Sequence, residues 1–294
     1  MPSTEPAIVV PAETLERFCR DALVRAGLDE PGAALVAQSL VDADLSGVST
    51  HGVIRFPLYI RRVQAGLIRS SPCMRLERTG HATAILYGGH GAGQVVGHRA
   101  MGEAINLARE AGIGCVAATE SHHFGAAGWF ARLALEHEMI GVAVSHADTG
   151  VVPHNGARGY LGTNPIAIAI PTGSHPPVVL DMATSVVAAG WVQAAAAAGT
   201  MIPLDWAVDG EGRPTDDPAR AEAMLPLGGS RGFKGFGLAL VAEALSALLT
   251  GSPFGPHIPR PSELVEFQNL GHFFAALDIP VSYTHLTLPT NREV

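Results

Sequence analysis

Two stretches of this chain carry side chains of the types that move protons and grip anions. In Asp44-Leu45-Ser46-Gly47-Val48-Ser49-Thr50-His51-Gly52-Val53-Ile54-Arg55-Phe56-Pro57-Leu58-Tyr59, an imidazole, a guanidinium and a phenol recur every four residues at His51, Arg55 and Tyr59. On one continuous helix that spacing stacks them on a single face. The set suits a substrate bearing a carboxylate, with Arg55 gripping the carboxylate bidentately and His51 exchanging a proton. Pro57 removes a helical hydrogen bond, so a kink or a fresh helix start competes with the continuous face. A histidine near a helix start also serves commonly as a cap or a surface residue.

The second stretch, Ser121-His122-His123-Phe124-Gly125, follows the apolar run 114–119 and precedes a helical pattern. A strand-to-helix loop is where α/β proteins display chemistry, and its amides favour anions. Adjacent histidines point in different directions, so one of the two at most faces a ligand, and this pair alone is a poor metal site. Two further loops after apolar runs, Tyr160-Leu161-Gly162-Thr163-Asn164-Pro165 and Asp181-Met182-Ala183-Thr184-Ser185, offer amides and hydroxyls to a cofactor. The competing reading makes Asn164-Pro165 an ordinary turn and Thr184 or Ser185 the N-cap of the Ala-rich helix that ends at Gly199. The run from Gly228 through Lys234 to Gly237 combines flexible glycine with two cations, a phosphate-contact pattern without the P-loop ending. By contrast Gly89-His90-Gly91-Ala92-Gly93-Gln94-Val95-Val96-Gly97 has the wrong glycine spacing for a dinucleotide fingerprint. It reads as a turn and a helix start, and a nucleotide should bind elsewhere.

The elements that must position these groups change character along the chain. Amphipathic helices are expected at 12–26, 31–44 and after Gly52, punctuated by Gly27 and Gly47. From His81 onward, short apolar runs at 82–87, 114–119, 140–145, 166–170 and 178–180 alternate with helical stretches at 94–111 and 126–138, an α/β pattern. The uncharged run 182–204 is mostly small residues interrupted by Gly199 and Pro203, which predicts a buried Ala-rich helix rather than a membrane span. A strongly apolar helix is expected at 235–250. After an aborted helical pattern, residues 281–294 depart in composition, resemble translated sequencing-adapter read-through, and are expected to be a non-native tail.

Composition narrows the function classes. With 19 Lys+Arg against 27 Asp+Glu the net charge is −8, so the basic surface that nucleic-acid binding needs is missing. Charged residues make up 16% and hydrophobic residues 47%, against about 25% charged in average soluble domains, and this argues against disorder. Cys19, Cys73 and Cys115 are scattered, with neither a disulfide framework nor metal-ligand spacing, which fits a reducing cytoplasm. The first ten residues lack a secretory signal pattern.

Together, Thr50-His51-Gly52 with Arg55 and Tyr59, Ser121 through Gly125, Leu161 through Pro165, Asp181 through Ser185, and Gly228-Gly229 through Lys234-Gly235 resemble the type-2 malate/L-lactate dehydrogenase family. That family includes ureidoglycolate and sulfolactate dehydrogenases and reductases of cyclic imino acids. The resemblance implies an α/β fold with a family-specific, non-Rossmann NAD(P)-binding sheet domain and an N-terminal helical domain. The expected division is a helical domain at 1–80 carrying the His/Arg/Tyr motif, a cofactor-binding domain at 81–251, a truncated C-terminal segment at 252–280, and the tail. It further implies an oxidoreductase of a small 2-hydroxy or 2-oxo acid using NAD or NADP, and a homodimer with shared sites. The alternatives are reduction of a cyclic imino acid such as Δ1-piperideine-2-carboxylate, or a cofactor-binding protein that has lost catalysis. By motif position His51 is the proton donor or acceptor with Thr50 orienting it, and His123 is a second catalytic or nicotinamide-side residue. Arg55, Tyr59 and Thr163 approach the substrate; His123, Phe124, Gly125, Ala126, Ala127, Asp181, Met182, Ala183 and Lys234 contact the cofactor. Trp191 departs from the pattern, because many relatives carry a charged residue there, and its presence argues against an unchanged Ser-His-Asp relay.

Overall fold

The computed structural model describes residues 9–279, so the expected tail at 281–294 lies outside the described residues. Three helices open the chain. Helix α1 (Ala12–Ala26) stops at Gly27, whose φ of 111° favours a residue without Cβ. Helix α2 (Glu30–Leu45) begins where the Asp29 carboxylate accepts the Gly32 amide at 3.1 Å. Helix α3 (Phe56–Gln64) holds Pro57 in its first turn, where no amide donor is missed. Leu23, Val36, Leu40, Tyr59, Val63 and Ile68 bury their facing surfaces in one cluster.

The rest is built on a mixed sheet. Its strands and crossovers run β1 (Arg75–Arg78), β2 (Thr83–Tyr87), α4 (Gly93–Ala111), β3 (Ile113–Ser121), α5 (Ala127–Leu133), β4 (Met139–Ser145), β5 (Ile166–Ile170) and β6 (Val178–Met182). Then come helix α6 (Ala189–Ala198), the short strands β7 (Ala207–Val208), β8 (Pro214–Thr215) and β9 (Ala223–Met224), helix α7 (Phe233–Glu243) and strand β10 (Leu270–Asp278). The large sheet has the order β1-β2-β3-β10-β4-β5-β6, and β8-β7-β9 form a separate ribbon. Only β2 and β3 are paired in parallel, as the α4 crossover between them requires; the other neighbours are antiparallel. Helices α4 and α5 cover one face over a core that includes Phe130, Met101, Leu86 and Phe274. The π-helical continuation of α7 (Ala244–Leu248) packs on the start of β10.

The sheet crosses the expected boundaries at 80/81 and 251/252. Strand β1 draws residues before 81 into it, and β10 sits in its centre, where the sequence suggested an aborted helical pattern. The reason is burial: Leu270, Gly271, His272, Phe274, Ala275 and Ala276 are all buried, and a strand covered on both faces shows no period-2 alternation to separate it from a helix. A second correction concerns the Ala-rich segment. Helix α6 has no fully buried residue: Ala189 and Val192 rest on the cluster of Val151, Val187 and Met224, and alanine's helix propensity supports the exposed remainder. Its N-cap is Ala188, not Thr184 or Ser185: Thr184 Oγ1 donates to the Thr163 carbonyl at 3.0 Å and Ser185 Oγ to the Val187 carbonyl at 2.7 Å. Among the described residues, no helix is long and apolar enough to cross a membrane.

Register decides where the loops go. Tyr87 lies opposite Thr119, Leu270 opposite Ser121, His272 opposite Ser145, Val144 opposite Ile166, and Ile166 opposite Met182. The loops after β2, β3, β4 and β6 and those before β5 and β10 therefore leave the same end of the sheet. The motif loops beginning at His122, Thr163 and Ala183 are among them.

Candidate active site

The segment between α2 and α3 is folded by one carboxylate. Asp44, near the end of α2, accepts the Val53 amide at 2.9 Å, and a Cβ on Gly52 would overlap its carboxylate group. Gly52 is accordingly extended (φ −82°, ψ −153°) and splits the segment into two single 3-10 turns, Ser49–His51 and Val53–Arg55. The continuous helix that spacing suggested is absent. The side chains still converge, because the turns and α3 together lean on the loop after β3.

His51 and His123 stack, with ring centroids 5.6 Å apart and planes 10° from parallel. Thr50 Oγ1 sits 3.1 Å from His51 Nδ1. The Tyr59 hydroxyl lies 2.8 Å from His123 Nδ1, and the Gly125 amide donates to the same nitrogen at 3.3 Å. An imidazole nitrogen facing an amide N–H is the acceptor, which leaves the His123 proton on Nε2. Arg55 Nε donates to the Thr50 carbonyl at 2.8 Å, so the backbone that carries His51 also aims the guanidinium. Its two terminal nitrogens make no hydrogen bond among the described residues, a fork left for an anion. The histidine doublet splits: His122 turns away and packs near His90 and Phe267.

Burial sets the electrostatics. It lowers the His51 pKa to about 4, with the Arg55 charge adding to the effect. His123 is held well below the usual imidazole range, chiefly by burial and then by His51 and Arg55. Both rings are neutral at neutral pH. Burial also raises the Tyr59 phenol, which therefore stays protonated.

The remaining motif residues form a rim linked by hydrogen bonds. Asp181 Oδ2 accepts the Gly128 amide at 2.8 Å, which joins 181–183 to the first turn of α5 and hence to 123–127. The Thr163 carbonyl accepts the Thr184 amide, the Thr184 carbonyl accepts the Leu227 amide, and the Leu227 carbonyl accepts the Gly235 amide, each at 2.8 to 3.0 Å. That chain ties the start of α7, which carries the exposed Lys234, to Thr184 just past the end of β6. At Phe124, Ala126 and Ala127 only backbone is on offer to a cofactor. The Phe124 ring is core, stacked on Phe130 and His272 at 4.6 Å each, and Ala126 and Ala127 are buried. Asp181 spends its carboxylate on α5, and its pKa is raised by burial. Asn164 is fixed by structure: it accepts the Ala147 amide at 3.1 Å and donates to Glu243 at 2.7 Å.

Three positioning residues escaped sequence reasoning. Asp44 folds the turn; Gln268 Oε1 accepts the His123 amide at 3.1 Å. Buried Arg62, one turn beyond Tyr59 in α3, donates to the carbonyls of Pro261, Glu263 and Glu266, pinning the loop that leads to Gln268. All three act on backbone groups and leave no spacing signature; only Asp44, heading its motif, could have drawn notice. A cleft of about 330 Å³ opens between the 3-10 turns and α6, lined by Thr50, Arg55, Gly190 and Trp191 among others, with Thr50 reaching His51 from its edge.

The amides, hydroxyls and single ammonium of the rim suit a phosphate-bearing dinucleotide, and the hydrogen bond between Asp181 and Gly128 makes two of its stretches one surface. Comparison with known proteins agrees in kind. The sequence profile of a family described as Malate/L-lactate dehydrogenase matches residues 10–285. Malate dehydrogenase of Pyrococcus horikoshii is 40% identical over 279 residues, covering 92% of this chain and 77% of that protein. Ureidoglycolate dehydrogenase (NAD(+)) of Escherichia coli K12 is 38% identical, covering 90% of this chain and 76% of its own. The crystal structure of malate dehydrogenase from Entamoeba histolytica superposes with a TM-score of 0.88 at 33% identity, covering 94% of this chain and 80% of that one.

Proposed function

The chain belongs to the malate/L-lactate dehydrogenase family, and from that premise we propose that it interconverts a small 2-hydroxy acid and its 2-oxo acid with NAD or NADP. The observation that carries this reading is the neutral His51–His123 stack standing beside an arginine with an open fork. The nicotinamide, when bound, takes or gives the hydride. The chain's own residues do the rest. Arg55 holds the substrate carboxylate bidentately and so fixes which face of the 2-carbon is presented. His51, oriented by Thr50 at Nδ1, takes the hydroxyl proton on Nε2 during oxidation and returns it during reduction. His123, held by Tyr59, Gly125 and Gln268, stands against the same ring, and each imidazole's charge would repel the other's, so the pair carries one proton at a time. Thr163 borders the substrate, and residues 123–127, 181–183 and Lys234 hold the cofactor.

The working form is a homodimer, for which exposed Val178, Val179 and Leu180 on edge strand β6 and Leu238 and Val241 on α7 supply apolar contact surface. Its compartment is the cytoplasm, which suits three free cysteines. Nicotinamide absorbance, followed with 2-oxo acids and with Δ1-piperideine-2-carboxylate under each cofactor, tests the reading. Turnover of 2-oxo acids that is lost in His51→Ala supports it. Turnover of the imino acid alone transfers the site to carbon–nitrogen chemistry, and cofactor binding without any turnover removes catalysis.

A further inference from the structure

The cleft that Thr50 and Arg55 line, next to His51 in the chain, has an asymmetry of charge that bears on what its substrate carries beyond the reacting carbon. Among its lining residues Arg55 is the only cation, and Asp44 adds a carboxylate. Arg55 is already committed to one carboxylate under the reading above. A second anionic group, as in a dicarboxylate or a sulfonate, would find only the neutral polar side chains of Ser49, Thr50 and Gln193, with the like charge of Asp44 nearby and no counter-charge, which is costly once water is excluded. Apart from Gln193, the opposite wall is apolar. Trp191, Ala194 and Ala197 recur at three-residue spacing on the α6 face that meets the turns, and Ile54 faces them from the second turn. Trp191 is 51% exposed and Ile54 73%, so large apolar surfaces stand in water until something covers them. Gly190 lets this wall come close, because a Cβ there would stand 2.8 Å from Thr50 Cγ2.

We infer that this cleft takes the side chain of the substrate and selects an apolar or aromatic one, making Trp191 and Ile54 specificity-determining residues and the substrate a small monocarboxylic 2-hydroxy or 2-oxo acid with an apolar side chain. An aryl group laid against Trp191 gains stacking and burial that a methyl group cannot, while Arg55 keeps the carboxylate in register with His51. This inference deepens the dehydrogenase reading and rests on it for turnover, but not for binding.

Two measurements separate them. In the first, initial rates with phenylpyruvate, pyruvate and oxaloacetate are compared under the preferred cofactor. Phenylpyruvate should have the highest kcat/KM, and Trp191→Ala should lower the phenylpyruvate-to-pyruvate ratio by about tenfold or more, within the range that lost pocket contacts give. Trp191→Phe should restore most of that ratio. In the second, phenyllactate and malate are titrated with the reduced cofactor, NADH or NADPH, present, so that no hydride can move, following calorimetry. Phenyllactate should bind at least tenfold more tightly than malate, and only the wild type and Trp191→Phe should keep that preference. Tight phenyllactate binding without turnover of any oxo acid leaves the cleft assignment standing and removes the dehydrogenase reading. Preference for oxaloacetate or malate, or a ratio unmoved by Trp191→Ala in a variant with a native circular-dichroism spectrum, overturns the cleft assignment and leaves the dehydrogenase reading intact.

Discussion

An imidazole whose pKa lies near 4 is unprotonated at neutral pH, ready to receive a proton and disinclined to keep it. For His51 this follows from burial and then from Arg55, and it fixes the sign of the pH dependence. In the direction of hydroxy-acid oxidation the neutral ring is the competent form, so kcat/KM should hold as pH falls past 6.5 and drop only as it approaches about 4. A pH–rate profile with its acid limb at 6.5 would contradict the buried geometry. His51→Ala should lower kcat by about 10²–10⁴, the usual yield of a positioned acid–base group, with cofactor affinity nearly unchanged by calorimetry. Tyr59→Phe removes one hydrogen bond to His123 Nδ1, worth about 1 kcal/mol, and should cost roughly fivefold in kcat. At this scale the sequence was informative where residue type carries the chemistry: His51, Arg55, Tyr59 and His123 all stand at one place. It was silent on Gln268 and Arg62, whose work is done on carbonyls and amides that any residue possesses.

Between residues and whole lie the short elements, and here the spacing of His51, Arg55 and Tyr59 pointed to a correct convergence through a wrong element. A helix would have aligned them by period; instead Asp44 and Gly52 break the helix and two 3-10 turns rebuild the approach. Gly52→Ala forces its methyl into the Asp44 carboxylate, and overpacking of this kind costs about 1–3 kcal/mol. Urea unfolding should register that loss, and the turnover rate should fall by more than the stability change explains, because the displaced turn carries both His51 and Arg55. Gly190→Ala acts on the facing element: its methyl meets Thr50 Cγ2 at 2.8 Å, so α6 must move outward, raising KM more than it lowers kcat. Gly52 stands in the Thr50-His51-Gly52 motif, but the clash that each glycine avoids was not legible in the sequence, since the atoms spared belong to other elements. The exposed position of α6 was equally hidden, because an alanine run suits a core and a surface helix alike.

For the molecule as a whole, buried neutral histidines make acid the natural denaturant. Burial lowers the pKa of His122 and of His272 to about 3, and His272 is wedged between Ser145 and Ser121 at 2.8 and 2.9 Å. Each folded value lies below the unfolded 6.5, so the stability that depends on the neutral ring is complete above pH 6.5 and is lost as pH falls toward 3. The urea midpoint should be flat from pH 8 to about 7 and then decline, by up to about 1.4 kcal/mol per pH unit for each such ring. His272→Gln should lower the plateau and flatten the decline. The alternation of helices and strands was legible across most of the chain, whereas β10 was not, being covered on both faces and following a loop-rich stretch. Its place between β3 and β4 has a temporal side. A nascent chain leaving the ribosome holds the two halves of the sheet long before it holds the strand that joins them. The loop with His123 hangs from β3 and is tethered by Gln268, two residues upstream of β10. Incomplete polypeptides that lack β10 should therefore be catalytically inert and exposed to chaperones and proteases, and competence should arrive abruptly, once that strand has been synthesised.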